Sequence, residues 1–72
     1  MSDKANRRKA HEDAVMTAIA AYDDRPYGAS YRDLSEATGL GLGTVFAIVK
    51  YFVGAGLVEH TPILARSIRR KR

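Results

Sequence analysis

Few residues of this chain have the type and spacing to do chemistry, and those that do point away from catalysis. His11 and His60 lie far apart, and neither has a histidine or cysteine at metal-ligand spacing. Both read as surface histidines, and no metal site or cofactor is expected. The chain contains no cysteine, which excludes disulfides and thiolate zinc sites and fits a reducing compartment. Serine, histidine and aspartate all occur, but none stands in a nucleophile elbow or a comparable context, so a catalytic triad is not supported. Gly39-Leu40-Gly41-Leu42-Gly43-Thr44 superficially offers a phosphate cradle. It follows a predicted helix rather than a strand and lacks the Gly-Lys-Ser/Thr of a nucleotide-binding loop, so these are better read as turn glycines.

The remaining chemistry is charge. The net charge is +4, unevenly spread. Residues 1–12 hold Lys4, Arg7, Arg8 and Lys9 against Asp3 and Glu12, for +2. Residues 66–72 hold Arg66, Arg69, Arg70, Lys71 and Arg72 with no acid, for +5. The stretch between carries three cations against six acids, for −3. Basic ends on a mildly acidic body suit a polyanion, most often nucleic acid, and the plainer alternative is a solubilising tail.

Seventy-two residues make one small domain. A chain of this size buries only about 60% of its unfolded surface, and a deep active-site cavity would consume much of that core. A non-enzymatic protein is therefore expected. A hydrophobic share of 46% is ordinary for a globular domain. The longest uncharged apolar stretch, Tyr51 to Val58, is far short of a membrane span, and no signal-peptide core follows Met1-Ser2-Asp3-Lys4. The expectation is a soluble cytoplasmic protein without membrane contact.

The charged ends must be held by a small helical body. Residues 1–9 are polar and read as a flexible basic segment ahead of a domain at 10–65, with 66–72 as a basic tail. Val15, Ala18, Ile19 and Tyr22 recur at i, i+3, i+4 and i+7, predicting a first helix over about residues 8–23. Pro26 and Gly28 break it. Ser30 and Asp33 have capping-box spacing and open a second helix over about 31–38, whose inward face is Leu34, Ala37 and Thr38. Gly39 is the expected left-handed stop. A third helix runs from Leu42 or Gly43 to Gly54 with Val45, Ile48, Val49 and Phe52 as its core stripe, and Gly56 follows as the stop. Val15, Ile19, Leu34, Leu40, Val45, Ile48 and Phe52 are expected to form one core. Tyr22 joins them, whereas Phe46 faces out. Leu57-Val58-Glu59-His60 reads as a short strand. Beyond it two readings stay open: a hairpin with a second strand at Ile63 to Arg66, or a short basic helix with Thr61 as N-cap and Pro62 as its first residue.

Two short helices joined by a glycine-containing turn, with a helix before them, form a helix-turn-helix arrangement. Leu34-Ser35-Glu36-Ala37-Thr38-Gly39-Leu40, Gly41-Leu42-Gly43-Thr44-Val45 and Ala55-Gly56-Leu57-Val58 resemble the winged helix-turn-helix domains of bacterial GntR, IclR and MarR regulators, over roughly residues 14–60. The expected fold class is mainly α, a three-helix core with a helix-turn-helix followed by a minimal β-wing or a short basic helix. Ser35 is small where helix three crosses over it. The resemblance implies double-stranded DNA as partner, with helix three in the major groove and Leu42, Gly43, Thr44, Phe46, Ala47 and Lys50 facing it. It places Tyr31 and Arg32 at the usual phosphate-contacting position. It brings Arg66, Arg69, Arg70, Lys71 and Arg72 to flanking phosphates or the minor groove. Transcription regulation or DNA architecture in a bacterial, plasmid or phage system is the implied role.

Of the groove-facing residues only Thr44 and Lys50 carry side-chain donors, whereas base edges are read by hydrogen bonds. Helix three is apolar over most of its circumference, the mark of a helix covered on more than one side. A protein-interaction or self-association module working through Phe46 and its neighbours is therefore the rival reading.

Overall fold

The computed structural model describes residues 3–61 and 63–71, with residues 3–5 as backbone only. In chain order it contains α1 (Asp3–Ala20), α2 (Tyr31–Thr38), α3 (Leu42–Gly54), β1 (Val58–Glu59) and β2 (Arg69–Arg70). The second and third helices match the expected bounds. The first begins at Asp3 rather than residue 8, so the segment read as flexible is helical. It also stops three residues early, because the chain tightens into i→i+3 turns. Tyr22 N–H donates to Ile19 C=O (3.0 Å), Asp23 N–H to Ala20 C=O (3.1 Å), and Arg25 N–H to Tyr22 C=O (3.2 Å).

Glycine geometry closes the next two helices. Gly39 sits at φ 73° and its N–H returns to Ser35 C=O. Ser35 Oγ donates to Leu40 C=O (2.6 Å), Thr38 Oγ1 donates to Leu34 C=O (2.7 Å), and Leu40 N–H donates to Thr38 Oγ1 (3.2 Å). Ser35 and Thr38 thus serve the turn through their hydroxyls, a role that smallness alone does not explain. Ala37, expected to face inward, is exposed. The chain bends by 113° between α2 and α3. At the end of α3, Leu57 N–H reaches Phe52 C=O (2.9 Å) and Gly56 N–H reaches Val53 C=O (3.1 Å). That is a Schellman pair, and it requires the left-handed Gly56 at φ 76°.

The core is apolar throughout. Val15, Ile19, Ala29, Leu34, Val45, Ile48, Val49, Phe52, Val58 and Ile68 are buried, with Leu40 and Tyr22 packed half-buried against them. Six of the seven expected core residues are therefore fully enclosed, and Leu40 lies at the margin. Ile68 and Ala29 were not anticipated, although both are completely buried. Among the described residues no single helix is long and apolar enough to cross a membrane.

At the end of the chain the hairpin reading holds in outline, as a small antiparallel sheet, but its second strand lies elsewhere. The second strand is Arg69–Arg70, antiparallel to β1 with Val58 opposite Arg70 and Glu59 opposite Arg69. The expected strand at Ile63 to Arg66 is instead loop, because the connection is wider than a tight hairpin. Ser67 Oγ fastens that loop, accepting from Thr61 N–H (3.0 Å) and lying 2.9 Å from Thr61 C=O and 2.8 Å from Leu64 C=O. Pro62, the proposed first residue of a helix, lies outside the described residues, and the described residues beyond it form no helix.

A third segment joins the sheet. Ala29 and Ile68 exchange backbone hydrogen bonds (2.9 and 3.1 Å), and Gly28 N–H donates to Arg66 C=O (2.9 Å). The described residues 66–71 are thus not a loose tail; Ile68 through Lys71 are built into the fold, and Lys71 N–H donates to Leu57 C=O (3.0 Å). Gly28 earns its place by space: a Cβ there would lie 2.7 Å from Ser67 C and 2.8 Å from Ile68 N.

Ile68→Ala is expected to cost about 2–5 kcal/mol, as much as Ile48→Ala. Gly28→Ala is expected to cost about 1–3 kcal/mol through backbone displacement. Urea unfolding followed by circular dichroism checks both, and an Ile68→Ala protein as stable as wild type would return this segment to a dispensable tail.

Candidate nucleic-acid interface

The capping box places the first residues of α2. Asp33 N–H donates to Ser30 Oγ and Ser30 N–H donates to Asp33 Oδ2, both at 3.0 Å. The Ser30 N–H bond holds the Asp33 carboxyl below its ordinary range; burial opposes this, while the Ser30 hydroxyl, Arg66 and Tyr22 add smaller contributions in the same direction. Tyr31 and Arg32 follow directly on this cap. Arg32 is exposed, whereas Tyr31 is half-buried.

Tyr31 faces α3 and β1 rather than solvent alone. Its ring stacks on Phe46, with centroids 4.4 Å apart and planes 17° from parallel. His60 meets it edge-on at 5.2 Å, and Tyr31 Oη lies 3.2 Å from His60 Nδ1 in a hydrogen bond whose direction follows the imidazole tautomer. Burial pushes the Tyr31 phenol up from its ordinary pKa. These three rings tie α2, α3 and the end of β1 together. Phe46 remains 54% exposed, so it both props Tyr31 and presents a free ring face.

On α3 the expected outward residues Leu42, Gly43, Thr44, Phe46, Ala47 and Lys50 are all exposed. The buried residues Val45, Ile48, Val49 and Phe52 occupy the opposite side. Among the described residues, those of α3 that face the helical body are the covered ones, and Leu42, Phe46, Tyr51 and Val53 stay in contact with solvent.

The C-terminal cations divide. Arg69 donates from one guanidinium nitrogen to Asp23 C=O (3.0 Å) and Tyr22 C=O (3.4 Å), capping carbonyls just after α1. A cation there also complements the negative end of the helix dipole. Arg70 forms an ion pair with Asp23, and its Nε lies 3.2 Å from Oδ1. Arg66 is exposed and lies over the Tyr27 ring at 5.4 Å. Lys71 is exposed, and Arg72 lies outside the described residues.

A further cationic group emerges that reading residues 1–9 as a flexible segment left aside. Arg7, Arg8 and His11 on α1 line an open cleft together with Thr44 on α3. The sequence signal was present in the i, i+4 spacing of Arg7 with His11 and of Arg8 with Glu12, which marks helix. The Arg8–Glu12 pair forms at 2.8 Å.

Comparison with protein-family models, with curated proteins and with solved structures finds no match to this chain.

Ser30→Ala is expected to cost about 0.5–2 kcal/mol by uncapping α2. Because Asp33 ionises more readily folded than unfolded, its contribution is complete above the ordinary aspartate pKa of about 3.9 and is lost as pH falls through the lower folded value. Acid titration of stability should show a shallower decline for Asp33→Asn than for wild type below about pH 4. Parallel curves would mean that the carboxylate charge adds nothing to the cap.

Proposed function

We propose that this chain is a non-enzymatic, double-stranded DNA-binding protein of the winged helix-turn-helix type, with α3 as its recognition helix. The observation that carries the reading is the disposition of α2 and α3. The chain bends by 113° through a short turn closed by a left-handed Gly39, inside the range of such motifs, and the outer face of α3 stands uncovered. The two-stranded sheet after α3 corresponds to a wing, and Arg66, at the C-terminal end of the loop joining its strands, stays exposed. The resemblance to bacterial GntR, IclR and MarR regulators supports the same reading. A cytoplasmic regulator or architectural factor of bacterial, plasmid or phage origin follows from it.

The mechanism is weighted towards the phosphate backbone. Gly43 and Ala47 on the crest of α3 bring no hydrogen-bonding side chain to a base edge, so direct readout rests on Lys50 and Thr44. Phe46 offers an apolar edge suited to a thymine methyl. Affinity then comes mainly from cations at the rims, and sequence preference is shallow. Arg69 and Arg70 act chiefly on the fold, leaving Arg66, Lys71 and Arg32 as the freer phosphate contacts on the α2 and wing side.

One observation favours a second reading. Leu42, Phe46 and Val53 are all exposed, and at 100° per residue they fall within about 40° of one another on one flank of α3. Such a stripe suits association with another protein, including a second copy.

Titration of several duplexes at varied salt, beside sedimentation of free protein, separates the readings. Lys50→Ala is expected to weaken DNA binding, and Phe46→Ala to shift preference at an A·T step. A protein that ignores duplex DNA at low salt, yet forms a complex that Phe46→Ala abolishes, would replace the first reading with the second.

A further inference from the structure

The half of α1 that precedes Val15 contributes no buried side chain among residues 6–14, so the core does not require it. It nevertheless carries Arg7, Arg8 and His11 to a cleft of about 450 Å³ whose other wall includes Thr44 of α3. Glu12 engages Arg8 through Nε at 2.8 Å, and among the described residues Arg7 has no ion-pair partner. A helical extension that fills no core and gathers cations beside α3 is suited to an anionic ligand.

We propose that this cleft clamps the DNA backbone, with Arg7 and Arg8 each taking a phosphate of one strand and His11 and Thr44 supplying further hydrogen-bond donors. The proposal rests on the reading of α3 as the recognition helix and adds a site on α1 to it. Its geometry follows from helix periodicity. Thr44 and Phe46 are two residues apart, about 200° around the axis, so they occupy opposite flanks of the crest that carries Ala47 and Lys50. Phe46 leans on Tyr31 of α2, and Thr44 borders the cleft on α1. A helix about 10–12 Å across fills a major groove about 12 Å wide, so one DNA strand runs along each flank. Arg32 at the start of α2 serves one strand, and Arg7 and Arg8 serve the other. The clamp adds two cations to the single one, Lys50, that the recognition helix carries.

The test measures duplex affinity between roughly 50 and 200 mM salt for wild type, Arg7→Gln with Arg8→Gln, Thr44→Val, Lys50→Ala and Lys9→Gln, with melting followed for each. Loss of two phosphate contacts should flatten the logarithmic salt slope by roughly 1.8 and weaken binding roughly sixtyfold near 0.1 M salt. Thr44→Val should weaken binding with the slope unchanged, since it removes no charge. Lys9→Gln is the charge control and should leave the slope near wild type. If wild type binds and Lys50→Ala weakens it, but the double variant keeps its slope, the clamp is overturned and the α3 reading stands. If Lys9→Gln flattens the slope by half as much as the double variant, the effect is general charge and the clamp is again overturned. If wild type fails to bind duplex DNA even at low salt, the α3 reading falls and the clamp with it.

Discussion

The backbone of residues 66–68 runs against Gly28 and Ala29 so closely that no side chain fits at position 28. This passage seats Ile68 in the core, where it is fully enclosed, and it sets Arg69 and Arg70 beside the end of α1. Three helices of this size leave an open side, and a chain of 72 residues has little apolar surface to spare. The segment leading into β2 closes that side with a single isoleucine, Ile68. This backbone-to-backbone contact ties the sheet to the stretch that leads into α2.

That contact divides the basic residues into two kinds. Arg69 and Arg70 bind carbonyls and a carboxylate at the α1–α2 junction, where a cation meets the negative end of a helix and an adjacent aspartate. Arg66, Lys71, Arg32, Lys50, Arg7 and Arg8 remain on the surface. Net charge alone does not separate these groups, since a guanidinium capping a helix counts the same as one waiting for a phosphate. The positive surface available to a partner is therefore narrower at the C-terminus, and broader along α1, than the charge runs suggest.

Helix α3 combines a firm inner face with an outer face of modest polarity. Four buried residues fix its rotation, and the stack of Phe46 on Tyr31 fixes one flank against α2. What it then presents is small or apolar apart from Thr44, Lys50 and the hydroxyl of Tyr51. A surface of this kind depends on neighbouring elements for its charge, and in this fold the neighbours are the first turn of α2 and the exposed half of α1.

The sequence by itself determined the elements whose signals are local. The Ser30–Asp33 box, the glycine stops at 39 and 56 and the 3.6-residue stripe of Val45, Ile48, Val49 and Phe52 act over a few residues, so α2 and α3 could be read directly. The outward positions of α3 were what the family resemblance implied, and those residues are exposed. Only the tertiary structure decided the rest. Ile68 sits alone among polar neighbours and carries no periodic signal, because its burial depends on a segment some forty residues earlier. Gly28 looked like a turn residue, and its purpose appears only when Ser67 and Ile68 pass beside it. Arg69 and Arg70 read as a basic tail until antiparallel pairing with β1 brought them to Asp23. Arg7, Arg8 and His11 became neighbours of Thr44 only through the packing of α1 against α3. Each of these facts rests on contacts distant in the chain, and such contacts are set by how whole elements fill one small core.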